Sequence, residues 1–118
     1  MGVTYIKTTV KDLAEIKKVE GKFLVDTGAH YTLLPKVLVE KLGLKGVRVQ
    51  EFILADGKSV KRKMGRAIVE IDGKSEPTTV ILGEQSDSAL LGTITLEQMG
   101  LMVDPFNRKL RPVKALLV

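Results

Sequence analysis

Apolar residues in this chain fall in short runs and alternations separated by turn-forming dipeptides, a pattern of strands rather than of long helices. Strands are predicted at residues 4–10, 23–25, 47–54, 59–63, 67–71, 78–82 and 101–103, with a last one at 109–113. Asp56-Gly57 and Asp72-Gly73 stand between strand-like runs, where tight hairpin turns are expected. Two helices interrupt the pattern. Pro35 suits a first helical position and Gly43 a C-terminal stop, with Val37, Leu38, Val39 and Leu42 able to face inward. A shorter helix is expected where Thr95 and Gln98 have the spacing of a capping box and Gly100 ends the run.

Composition narrows the picture. The 118 residues suit one domain spanning 1–118. Aromatic residues are 4% of the chain and Trp is absent, so the core must be built from Val, Ile and Leu. There is no Cys, which excludes disulfides, a thiolate nucleophile and Cys-based zinc sites. That fits a reducing compartment, and a cytoplasmic location is expected. The N-terminal residues lack the basic start and apolar stretch of a signal peptide, and no apolar run is long enough to span a bilayer. No membrane partner is expected.

The formal charge of +5 raises the question of nucleic acid. The basic residues are spread along the chain, and side chains for base stacking are nearly missing. The densest run, Lys61-Arg62-Lys63, would be divided between two faces if it lies in a strand. Nucleic acid is therefore not an expected partner.

Chemistry is concentrated at Asp26-Thr27-Gly28-Ala29, directly after the apolar trio Phe23, Leu24 and Val25. A carboxylate buried there would be costly without partners. Gly28 lets the chain bend and turns its N–H toward the carboxylate, while Thr27 can hydrogen-bond a neighbouring backbone or a symmetry mate. An ordinary Asx-turn accounts for the same three residues. A second feature changes the weighing. Ala89-Leu90-Leu91-Gly92 follows an apolar strand and precedes the short helix, and a Gly there permits close approach of another segment.

Apolar strand, Asp-Thr-Gly-Ala, helix, hairpin, strand pair, Leu-Leu-Gly and short helix, in this order, resemble the retropepsin-like aspartic proteases, single-domain relatives of pepsin. The resemblance covers about residues 22–112. It implies a closed β barrel of the acid-protease type that works as a homodimer on a polypeptide substrate, with no cofactor. The chain itself offers only one Asp-Thr-Gly, and Asp12, Asp56, Asp72, Asp87 and Asp104 lack that setting. Chemistry by two carboxylates would need a second Asp26 from a second chain, side by side across a two-fold axis.

In this reading Asp26 is catalytic, and Thr27, Gly28 and Ala29 support its loop. The Asp56-Gly57 hairpin becomes a substrate-covering flap with Ala55, Asp56, Gly57 and Lys58 at its tip. Leu33, Ile53, Ser88 and Leu90 are pocket candidates, with simple core packing an equal reading for the three apolar ones. Ala29 stands where pepsin-like enzymes often have a Ser that donates to the carboxylate, so activity is expected at milder acidity than theirs.

Two family positions depart from the retroviral pattern. His30 and Thr93 replace an Asp and an Arg whose charges brace the retroviral dimer. Bracing is then expected from the apolar tail at 115–118, from the strand near residues 101–103, or from the N-terminal segment. His30, the only histidine, is assigned no catalytic role, and one His with scattered carboxylates makes no metal site. The alternative function is a catalytically idle binding or dimerisation module of the same fold.

Overall fold

The computed structural model describes residues 3–114; the 115–118 tail considered for dimer bracing lies outside the described residues. Strand β1 (Tyr5–Lys11) turns at Asp12, whose carboxylate accepts the Lys17 N–H at 2.8 Å, into β2 (Lys18–Val25). Along β2, Val19, Gly21 and Phe23 face inward between exposed Lys18, Glu20 and Lys22. The strand therefore begins five residues before the apolar trio that announces it in the sequence. After the Asp26 loop come β3 (Thr32–Leu34) and α1 (Lys36–Leu42), which ends on Gly43 at φ 65°. Pro35 sits at the cap before α1, one position earlier than expected.

The centre of the fold is a meander of β4 (Arg48–Ile53), β5 (Ser59–Ile71) and β6 (Lys74–Leu82). The two strands expected at 59–63 and 67–71 are one. Gly65 is buried within it, and an added Cβ would lie 3.2 Å from both Leu82 and the Lys45 carbonyl. Here glycine marks close packing rather than a break. The β5–β6 turn has Asp72 and Gly73 at φ 50° and 80°, the doubly positive geometry of a tight hairpin. Pro77 lies in β6 where that strand pairs with β5 alone, because β3 joins only at Val80. A missing N–H is tolerated on such an edge.

Two-residue β7 (Leu90–Leu91), α2 (Thr93–Gln98), β8 (Leu101–Asp104) and β9 (Lys109–Pro112) complete the chain. Seven strands pair in the order β1-β2-β7-β3-β6-β5-β4, and a further β1–β5 pairing returns the sheet on itself, with β4 attached outside. β8 and β9 form a separate hairpin. Inside lie Val10, Phe23, Leu34, Ala67, Val69, Val80 and Leu91, all fully buried. The core is mainly aliphatic, as the composition required, with Phe23 its one aromatic residue among the described residues and Met64 also buried.

Candidate active site

Asp26 sits where β2 ends, and its backbone N–H donates to the Leu91 carbonyl at 3.1 Å. β2 runs parallel to β7 through Leu24–Leu90 and Val25–Leu91 pairs, so the apolar trio and the Leu-Leu pair together fix where the carboxylate emerges. The chain then turns: Ala29 N–H donates to the Asp26 carbonyl at 3.1 Å, and Gly28 N–H donates to Asp26 Oδ1 at 2.9 Å. Oδ2 has no protein partner among the described residues. The carboxylate is half-buried, oriented by one donor and left with acceptor capacity for a ligand or water.

Gly92 supports this loop from behind. A Cβ on it would lie 2.4 Å from the Tyr31 carbonyl carbon and 2.5 Å from the His30 oxygen. The close contact allows Thr93 N–H to reach the Ala29 carbonyl at 2.9 Å and Ile94 N–H the His30 carbonyl at 3.0 Å. The start of α2 is thereby bonded to the loop that carries Asp26.

A buried threonine cluster lies beneath. Thr32 Oγ1 accepts the Gly92 N–H at 3.1 Å and lies 2.6 Å from Thr95 Oγ1, which is 3.3 Å from Thr78 Oγ1. The expected capping box is corrected here. α2 begins at Thr93 with Gly92 as its cap, and the Thr95 hydroxyl is turned into the interior, away from the helix end. Each threonine hydroxyl can both donate and accept, so three of them satisfy one another without a charge.

Beside Asp26 a cleft of about 540 Å³ opens between the loop and the β4–β5 hairpin. Gly28, Ala29 and His30 line it on the loop side, and Gln50, Phe52, Ile53, Leu54 and Ala55 on the hairpin side. Tyr31 and Ile81 complete it, and the Tyr31 and Phe52 rings meet edge to face at 6.3 Å. This contact links the loop to the hairpin through apolar area. At the hairpin tip Lys58 N–H donates to Asp56 Oδ1 at 2.9 Å, and Gly57 takes φ 86°.

The site residues inferred from sequence divide. Asp26, Gly28, Ala29, Ile53 and Ala55 share the cleft. Asp56, Gly57 and Lys58 are exposed beyond it. Leu33 and Leu90 face each other in the β3–β7 pairing, and Ser88 lies exposed in the loop before β7; none of these three lines the cleft. Thr27 points to a different surface, a shallow apolar groove with Leu96, Leu101, Met102, Val103 and Val113. Tyr31, Gln50, Phe52, Leu54 and Ile81 were not foreseen. Gln50 and Phe52 could have been found by period two, since alternate strand residues share a face and Phe52 is the only aromatic on β4.

An ion pair holds the hairpin base. Arg62 Nε donates to Asp87 Oδ2 at 2.7 Å and its Nη2 to Oδ1 at 3.3 Å, tying β5 to the loop before β7. The Arg62 guanidinium, followed by the Glu84 N–H, holds the Asp87 carboxyl below its ordinary value against partial burial. Lys61 and Lys63 lie exposed on the opposite face, so the basic run is divided between faces.

A sheet returning on itself, an Asp-Thr-Gly loop at a strand end and a glycine-backed helix beneath it define a retropepsin-like aspartic protease fold. Residues 13–98 match the family described as "gag-polyprotein putative aspartyl protease", and the chain belongs to that family. The structure is similar to EIAV protease complexed with the inhibitor HBY-793, with TM-score 0.64, 16% identity, and coverage of 98% of this chain and 94% of that one. It is also similar to a retropepsin-like aspartic protease from Rickettsia conorii, with TM-score 0.59, 27% identity, and coverage of 87% and 77% respectively. No curated protein matches the sequence.

Proposed function

We propose that this chain is an aspartic endopeptidase that hydrolyses peptide bonds with a water activated by two Asp26 carboxylates, one from each subunit of a homodimer. The observation that carries this reading is the Asp26 carboxylate, oriented by Gly28 and open on a cleft large enough for a polypeptide segment. Family membership supports the reaction class. The single Asp-Thr-Gly supports the need for two chains.

In aspartic proteases generally, two adjacent carboxylates cannot both ionise easily and share one proton, titrating as a pair. The charged member takes a proton from water as its oxygen attacks the substrate carbonyl carbon. The protonated member donates to the carbonyl oxygen. The tetrahedral intermediate then collapses, the C–N bond breaks, and the leaving nitrogen takes up a proton. Gly28 holds each carboxylate in place, and Thr27 lies toward the partner rather than the substrate. The groove beside Thr27, with Met102 and Val113 about half exposed, is the apolar surface such a partner would cover. The β4–β5 hairpin serves as the flap, with Ala55 the tip residue that lines the cleft.

The test is cleavage of an unfolded polypeptide across pH, with and without pepstatin, beside the Asp26→Asn variant. Loss of cleavage in both arms supports the assignment. Cleavage that survives Asp26→Asn refutes it.

A further inference from the structure

A second cavity, of about 590 Å³, lies away from Asp26 between α1 and the sheet. Its sheet wall crosses three neighbouring strands at one level, Val49 opposite Lys63 and Lys63 opposite Leu82. Val39 and Leu44 face it from α1 and the turn after it. Val49 is 61% exposed, so this apolar floor is open to solvent. The rim is charged. Lys36, Lys45, Arg48 and Lys63 stand against only Glu40 and Glu84. Among the described residues none of these four cations makes an ion pair, and Arg48 is bonded only to neutral Gln50. The Lys63 stem packs where a Gly46 side chain would be, its Cβ 2.9 Å from that position, so the cation is held over the cavity by its own chain.

We infer that this groove binds an acidic, apolar-containing peptide segment, as a docking surface separate from the cleft at Asp26. Carboxylates of the peptide meet the surplus cations of the rim, and an aliphatic side chain enters the floor between them. Charge complementarity selects the partner and apolar burial holds it. The floor has no aromatic ring on which a base could stack, which favours a peptide over a single-stranded nucleic acid. Val49 points to the face of β4 opposite Gln50 and Phe52, so the groove and the Asp26 cleft lie on two sides of one strand.

The experiment uses the full chain carrying Asp26→Asn, so that binding is read without cleavage and independently of the proposed activity. A fluorescein-labelled peptide of alternating Glu and Leu, a Lys and Leu counterpart, and an oligothymidylate are titrated by anisotropy. Saturable binding of the acidic peptide is expected, weakening with added salt. It should weaken at least tenfold when Lys45→Glu and Lys63→Glu, both exposed positions lining the groove, are combined. Absence of saturable binding, equal binding of both peptides, tighter binding of the oligonucleotide, or indifference to salt and to charge reversal would each overturn the inference.

Discussion

Gly92 and Tyr31 are in backbone contact: a side-chain carbon on Gly92 would lie 2.4 Å from the Tyr31 carbonyl carbon. The clash is with main chain that also carries the loop's bonds to α2, so neither partner can give without moving Asp26. Gly92→Ala is expected to cost about 3 kcal/mol and to abolish cleavage of polypeptide. Gly57→Ala meets nothing within 4 Å but sits at φ 86°. It should cost only about 1–2 kcal/mol, from the left-handed backbone. Urea unfolding of the two variants compares steric with conformational cost. Equal losses would contradict the packing role of Gly92.

Thr95 joins the threonine cluster beneath the loop, at 2.6 Å from Thr32 and 3.3 Å from Thr78. Thr95→Val keeps the volume and removes the shared hydroxyl. A loss of about 1–3 kcal/mol is expected, with Thr95→Ser closer to the parent. Denaturant midpoints for the pair decide the matter; a Val variant as stable as the parent would mean the hydroxyls contribute nothing.

The Arg62–Asp87 pair gives the fold an acid-sensitive component. Asp87 has a lowered folded pKa, so its stabilisation is fully present above the unfolded carboxylate value and is lost as pH falls through the folded one. Asp87→Asn should cost roughly 1.5–3 kcal/mol near neutrality, by leaving Arg62 without its anion. The gap to the parent should close progressively below about pH 4. Urea unfolding at several pH values measures it, and a gap independent of pH would contradict the assignment.

Ala29 offers the Asp26 carboxylate no side-chain donor. Activity is therefore expected to peak at milder acidity than in enzymes with a Ser at this place. Ala29→Ser should move the acid limb of the pH–rate profile downward by restoring that donor. A parent profile peaking near pH 2, or one unmoved by the substitution, would contradict this.

Period-two alternation and Asp-Gly turns made the hairpins legible, because those features are local. The short strands β3 and β7 were not, since each exists only through partners far along the chain: Leu33 with Ile81 and Leu90, Leu24 with Leu90. Gly65 and Gly21 hid strand continuity for the same reason, their meaning being set by what packs against them. At the site, the motif located Asp26 and the need for glycine at position 92. The walls of the cleft come from β4 and from Ile81, and sequence spacing does not show which strand face the hairpin turns toward Asp26. The double use of Thr95, helical by position and buried by its hydroxyl, is not legible in the sequence because a capping box and a buried threonine share one signature.

Subunit sharing of one catalytic centre is tested by mixing. Parent chain is exchanged with an equal amount of Asp26→Asn chain, at concentrations where sedimentation shows every chain paired. If each centre needs a carboxylate from both subunits, activity per parent chain falls to about half, because random pairing places half the parent chains opposite an inactive partner. Activity per parent chain that stays unchanged would contradict a shared centre.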